Sequence, residues 1–253
     1  MASDFERLAT CLVGELLSAA LDSRHVGAVE ALASLHLRAR VRDPRLRAKL
    51  SPTTRAGCKR LLFSNDWYRA LAQPNTTVVT DKIVEITPGG IRTADGADHP
   101  ADVLIYGTGF AATDFLSSLS VRAGDRDLAD AWAGGARAHL GITVPGFPNL
   151  FLVYGPNTNL GGNSIITMLE AQCRYIAAVI ARLPSGSTVE VREEVADAFD
   201  AEMRDRLARS VWATCDNWYR QDDGRITTNW PGLVWEYLRR VRTPDPRDFR
   251  VTL

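Results

Sequence analysis

Two stretches constrain what this chain can fold into. The first is Asp102-Val103-Leu104-Ile105-Tyr106-Gly107-Thr108-Gly109-Phe110. The second is Phe147-Pro148-Asn149-Leu150-Phe151-Leu152-Val153-Tyr154-Gly155-Pro156-Asn157-Thr158-Asn159-Leu160-Gly161-Gly162-Asn163-Ser164. Each reads as a short apolar strand, Val103 to Tyr106 and Leu150 to Tyr154, running into a turn that carries glycine. Unbroken apolar strands belong to sheets covered on both faces. Glycine at the strand end lets a cofactor approach bare backbone. The expectation is an α/β protein with a cofactor at its strand ends.

The flanking pattern fits that class. Residues 4 to 40 read as helical, with Leu8, Leu12, Leu16 and Ala19 on one face. After a break near Gly27 the pattern continues through Val29, Leu32, Leu35 and Leu37. Asp43-Pro44 opens a short helix, with proline at its first position, and Ser51-Pro52 closes the region. No strand is expected before about residue 60. Ser64-Asn65-Asp66 reads as an N-cap for Trp67 to Leu71. Strands are expected at Thr76 to Thr80, Ile83 to Thr87 and Gly90 to Thr93, with turns at Pro88-Gly89 and Asp95-Gly96. Residues 111 to 146 read as loop-rich. Helices are expected at Ile165 to Leu183, Glu193 to Ser210 and Val234 to Arg242, with three tryptophans in irregular sequence between the last two.

Charge and cysteine content exclude several classes. Thirty basic and thirty acidic side chains cancel, so nothing in the balance points to nucleic acid or an anionic membrane. No apolar run approaches the roughly 20 residues that span a bilayer, and the start does not read as a signal peptide. Cys11, Cys58, Cys173 and Cys215 match no zinc spacing, and the four histidines are scattered, so no metal site is expected. Four reduced thiols in a cytoplasmic protein is the corresponding expectation.

The candidate chemistry sits in four places. Gly107-Thr108-Gly109-Phe110-Ala111-Ala112 fits a glycine-rich nucleotide loop in form. Thr113-Asp114 interrupts where such a loop needs a helix to open, so a strand-to-loop crossing is the other reading. Thr108 and Gly109 are the candidate cofactor contacts there. Gly57-Cys58-Lys59-Arg60 precedes Asn65-Asp66-Trp67-Tyr68 and offers a pair of cations. The turn Gly155 to Ser164 precedes a long helix, whose first N–H groups and positive dipole end attract negative charge. Cys215-Asp216-Asn217-Trp218-Tyr219 is an aromatic pair in irregular sequence. Each of the last three also has a plainer reading: a surface basic pair, a capped loop with Ser164 as N-cap, and core packing.

Taken together, these motifs resemble the C-terminal half of class B flavoprotein monooxygenases, the Baeyer–Villiger and flavin-containing monooxygenase group. The resemblance implies a partial fold of two dinucleotide-binding domains, FAD and NAD(P), with an N-terminal helical segment. It divides the chain into a helical segment (1–56), the later part of an NADPH domain (57–105) and the C-terminal part of an FAD domain (106–253). Ala101 to Phe115 resembles the hinge strand between those domains, with Gly107 where the family usually has alanine. By the same resemblance Arg60 is the catalytic arginine facing the flavin, where a guanidinium holds a developing oxyanion. Lys59 helps to hold the NADPH ribose or phosphate. Asn163, Ser164 and Ile165 contact the pyrimidine edge of the flavin, and Trp218 reaches toward nicotinamide and substrate. Family members often have histidine where this chain has Gly162. The implied activity inserts one oxygen atom of O2 into a ketone, or onto nitrogen or sulfur, through a peroxyflavin, with NADPH as reductant.

The family's two dinucleotide loops and the fingerprint between them do not occur in this sequence. Strands without those units have open edges and half-covered faces. A separate chain supplying the N-terminal half, or self-association, is the implied partner. The alternative is a catalytically inactive truncated remnant that binds a partner.

Overall fold

A computed structural model describes residues 26–62 and 64–253. The chain divides into two compact units. Among the described residues, one holds 26–30, Thr54–Leu62 and Ala112–Leu253; the other holds Ala31–Thr53 and 64–111.

The second unit is built from local signals. Helix α1, Val26–Arg40, contains Gly27 instead of breaking there. Its expected apolar face is only partly covered: Leu37 is buried, whereas Leu32 and Leu35 are exposed. Helix α2, Pro44–Leu50, starts as expected, with the Asp43 carboxylate accepting from Arg45 N–H and proline in the first turn. Helix α3, Trp67–Leu71, is capped by the expected stretch. Asp66 holds the cap position without a side-chain bond, and Ser64 Oγ accepts from Trp67 N–H at 3.0 Å. Strands β1 (Ile83–Thr87), β2 (Gly90–Thr93) and β3 (Asp98–Pro100) form an antiparallel meander. The expected strand at Thr76 to Thr80 has no ladder partner, and β3 was not anticipated.

The two apolar stretches are the main correction. Val103 to Tyr106 forms no strand, and Val103 and Ile105 are 75% and 92% exposed. Leu150 to Tyr154 is likewise no regular strand. Phe151 makes one isolated bridge to Thr143, Leu152 N–H donates to Ile142 O at 2.7 Å, and Val153 and Tyr154 are exposed. A strand exists only through ladder bonds to a neighbour, and the described residues supply none for 103–106. Apolar sequence is necessary for a covered strand and does not suffice. The sheets that do form are small and antiparallel, so the α/β content holds without a parallel sheet.

The first unit carries the main core. After the hairpin β4 (Arg122–Ala123) and β5 (Arg126–Asp127), the short helix α4 (Leu128–Ala131) leads into a small cluster. There Leu128, Trp132, Val144 and Phe147 are buried, and Phe115 meets Trp132 edge-on. Helix α5, Ile165–Ile180, buries Met168, Ala171, Gln172, Tyr175 and Val179, the spacing of one helical face. The helix ends at Ile180, three residues short of the expected Leu183. Strand β6, Thr188–Val191, pairs antiparallel with β7, Phe249–Thr252, so the tail after the last helix returns to the core. Helix α6, Glu193–Ala208, buries Phe199, Met203 and Leu207. Helix α7, Val234–Arg240, buries Val234 and Tyr237.

Helices α6 and α7 are joined by a partly buried ion network. Arg206 bonds both carboxylate oxygens of Glu236, at 2.7 and 2.8 Å, and Arg240 bonds Glu202 and Glu236. The two guanidiniums lie 5.3 and 5.4 Å from the ring of Trp230, which is itself buried.

A buried hydrogen-bond chain runs through the centre. Tyr237 Oη donates to Leu140 O and accepts from Gln172 Nε2, each at 2.7 Å. Gln172 Oε1 accepts from Tyr154 N–H at 2.9 Å. Replacing Tyr237 by phenylalanine leaves the Leu140 carbonyl and the Gln172 amide unpaired in the core. Urea unfolding should register a loss of about 1–3 kcal/mol; a neutral result would mean the chain of bonds does not hold the core.

His139 gives the core a pH dependence. It packs edge-on against Phe199, and both ring nitrogens lack a hydrogen-bond partner. Burial, helped by the charge of Arg240, pulls its pKa down to about 4. Asp248, 3.9 Å away, therefore faces a neutral ring at neutral pH. The unfolded chain takes up a proton near pH 6.5 and the folded chain only near 4, so stability falls as pH drops through that window. The loss should approach about 3 kcal/mol at pH 4. Denaturation curves of His139→Leu should lack this component; an unchanged pH profile would assign it elsewhere.

Candidate functional site

One face of the first unit brings together segments far apart in sequence. Cys58 forms a disulfide with Cys215, with Cα atoms 6.2 Å apart and a sequence separation of 157. This corrects the expectation of four reduced thiols. The two cysteines share no local motif, and only the fold brings them together. Cys173 is free and exposed, and Cys11 lies outside the described residues.

The bond delivers the basic pair to the aromatic loop. Lys59 Nζ lies 6.0 Å from the ring centre of Trp218, a long cation–π distance. Trp218 is about half exposed, and its ring stands 5.2 Å from that of Tyr219. The loop behind Trp218 is fixed by Asn217. Its Nδ2 donates to Trp212 O and Cys215 O, and its Oδ1 accepts from Tyr219 N–H.

Arg60 lands on the glycine-bearing turn. Its Nη1 donates to Leu160 O at 3.3 Å, and Leu61 N–H donates to Gly161 O at 3.4 Å. The turn is held from behind by Asn157, which is buried with a positive φ of 58°. Asn157 N–H donates to Thr227 O, and its Nδ2 donates to Asn229 O at 3.2 Å. Gly155 has no room for a side chain, because a Cβ there would stand 2.4 Å from Gly141 O. This glycine serves close approach of backbone to backbone within the protein.

At the end of the turn, Asn163 is buried. Its Oδ1 accepts from Ser164 N–H at 2.7 Å, and its Nδ2 has no partner. Ser164 occupies the cap position of α5 without a side-chain bond, which corrects the capping reading. The first N–H groups of α5, beginning at Ile165, are thus available to an acceptor. A buried donor and an uncapped helix start suit a ligand edge that carries carbonyl oxygen or negative charge.

Three residues of this face were missed in the sequence. Tyr154 Oη donates to Asn159 Oδ1 at 2.8 Å, Tyr219 bonds the same asparagine, and Asn159 Nδ2 donates to Asn229 Oδ1. Burial raises the pKa of both phenols, and the charge of Arg60 works against it in both. The Trp-Tyr pair was a signal for Tyr219; Tyr154 was read only as the end of a strand. Thr108 and Gly109 belong to the second unit, where Gly109 has a φ of 81° and open space around it. No cluster of metal-ligating side chains occurs among the described residues, and none of their helices is long and apolar enough to cross a membrane.

No family model matches the chain. It is similar to proteins named Baeyer–Villiger monooxygenase from Streptomyces coelicolor and Pseudomonas aeruginosa. The first is 40% identical over 232 residues, 89% of this chain and 45% of that protein. The second is 36% identical over 251 residues, 97% and 48% respectively. Among solved structures, an oxidized steroid monooxygenase bound to NADP superposes with a TM-score of 0.80 at 26% identity, covering 99% of this chain and 52% of that one. OTEMO complexed with FAD and NADP gives 0.75 at 27% identity, covering 92% and 45%. The chain spans about half the length of the relatives it matches.

The phenols report on Arg60. In Arg60→Ala the opposing charge is gone, so Tyr154 and Tyr219 should ionise at higher pH than in the parent. Ultraviolet difference titration, with Tyr154→Phe and Tyr219→Phe to assign the curves, checks this. Unmoved curves would remove Arg60 from the neighbourhood of the rings.

Proposed function

We propose that this chain, which matches about half the length of proteins named Baeyer–Villiger monooxygenase, is the C-terminal part of such a flavin monooxygenase and provides the flavin-facing and nicotinamide-facing residues of an FAD- and NADPH-dependent enzyme. The observation that carries the reading is the convergence at Gly161: Arg60, the orphaned Asn163 amide and the open start of α5 meet there, although about 100 residues of sequence separate them.

The residues fit an FAD edge. Asn163 Nδ2 is a buried donor without an acceptor, and Ser164 and Ile165 begin a helix without a side-chain cap. These groups would hold the oxygen- and nitrogen-bearing edge of the ring and stabilise negative charge on it. When bound, FAD supplies the redox chemistry: it takes hydride from NADPH and delivers one oxygen atom of O2 to a ketone, or to nitrogen or sulfur. Arg60 contributes a permanent cation, anchored through the Leu160 carbonyl, that favours anionic forms of whatever adjoins it. Lys59 offers a mobile ammonium for the nicotinamide nucleotide's ribose or phosphate. Trp218, half exposed, offers a stacking face and shields the site from water. Thr108 and Gly109 remain in the reading as contacts supplied by the hinge segment.

The exposed stretch Val103 to Phe110 supports a further element of the reading. It is an apolar segment without a ladder, and it would be completed by strands from the remainder of a longer polypeptide, from a separate chain or from a second copy. A protein that uses this stretch only to bind a partner, without catalysis, is the second reading. The workplace of either is expected to be the cytoplasm.

Incubation with excess FAD, gel filtration and a visible spectrum separate the two. A retained flavin band is expected when the chain, or its assembly with the complementary half, has a complete site. In that assembly Arg60→Ala should keep the flavin and lose oxygenation by roughly 100-fold or more. Product formation at the parent's rate would remove Arg60 from the chemistry.

A further inference from the structure

We propose that the Cys58–Cys215 disulfide is a thiol-responsive clamp that holds Lys59 and Arg60 against the Trp218 loop. Its consequence for cofactor binding rests on the function proposed above; the clamp itself rests on the geometry of the first unit.

The two sides of the bond are unequally tethered. Residues 215–219 are fixed by the three Asn217 bonds and by the packing of Tyr219, which is buried and meets Trp212 edge-on. The strip Lys59–Leu61 has two long hydrogen bonds among the described residues, from Arg60 to Leu160 O at 3.3 Å and from Leu61 to Gly161 O at 3.4 Å, beside the 6.0 Å approach of Lys59 to the Trp218 ring. Glu30 holds the residues just before it, at Arg55 and Ala56. The disulfide is therefore the strongest tie between the basic pair and the aromatic loop. Cut it, and the weakly held strip is the side that moves.

The sulfurs are placed for reversible exchange. Cys58 is fully buried, whereas Cys215 is partly exposed, so the Cys215 side is the more open to an incoming thiolate. The S–S bond breaks, Cys58 leaves as thiolate, and a second thiol resolves the mixed disulfide. Net, two small thiols are oxidised to their disulfide and the protein gains two thiols. The freed Cys215 thiol finds the Val211 carbonyl 3.3 Å from its sulfur, a ready acceptor. Closing the clamp requires a two-electron oxidant of the hydroperoxide class. The two thiols give up two electrons and two protons, the O–O bond breaks, and an alcohol or water and a second water leave. The exposed Cys173 lies on α5 and takes no part in the bond.

The test uses the full chain. Alkylation without reductant followed by peptide mapping should find Cys58 and Cys215 joined and Cys173 labelled. Hydrogen exchange is then compared between the oxidised chain, the same chain in dithiothreitol, and Cys58→Ser/Cys215→Ser, with Cys173→Ser as control. The amides of Cys58 and Leu61 should exchange about tenfold faster on reduction, with those of α5 unchanged. NADP titration of the oxidised and reduced forms reads the consequence: weaker binding by about fivefold or more after reduction. Free thiols at both positions, unchanged exchange at 58 and 61, or loss of the whole fold on reduction would each overturn the clamp. Equal NADP affinity in both forms overturns its positioning of Lys59 and Arg60. Absence of NADP binding in both forms counts against the proposed function alone, because the exchange result still decides the clamp.

Discussion

The first unit depends on one buried phenol. Tyr237 arrives on a short C-terminal helix, yet its hydroxyl settles the polar groups of two other segments, the Leu140 carbonyl and the Gln172 side chain. Gln172 in turn fixes the Tyr154 amide, where the glycine-bearing turn begins. In an apolar interior each unpaired amide costs more than a made hydrogen bond gains. The three segments therefore have one arrangement in which all are satisfied. That arrangement sets where the turn leaves the core and so where Gly161 and Asn163 come to lie.

The site inherits its geometry from this interior. Asn157 and Asn229 stitch the turn to the segment before α7, and the close pass of Gly155 over Gly141 leaves it little freedom. Onto this rigid seat the strip from Cys58 to Leu61 is laid by a covalent bond and two long hydrogen bonds. Rigid acceptor surface and adjustable cation are thus built by different means. The one is a product of polar satisfaction in a core; the other is a product of crosslinking at a surface.

How much of this was legible in the sequence follows from range. The Asp43-Pro44 start of α2, the turns around β2, the helix at Ile165 and the helix at Glu193 all rest on neighbours within a few residues, and all formed. Val103 to Tyr106 failed because a strand is a property of a pair, and no partner lies within the described residues. The β6–β7 ladder was missed for the converse reason: Phe249 to Thr252 follows a proline-rich stretch, and its partner is some 60 residues back. The candidate site residues Arg60, Asn163 and Trp218 were readable only as resemblances. Tyr154 and Asn159 were invisible as site residues, since what makes them members of the face is a shared hydrogen bond. The pairing of Cys58 with Cys215 left no local trace at all.

The span of that disulfide also orders events in time. During synthesis Cys58 and Arg60 leave the ribosome before the partner sulfur, which follows 157 residues later. By then α5, β6 and α6 have all emerged and can pack, domain-sized pieces being able to fold during synthesis. The residue proposed to face the flavin is accordingly translated well before the crosslink can seat it. The crosslink therefore waits for residue 215, and a product ending before it would leave the strip at Lys59 and Arg60 without its covalent tie.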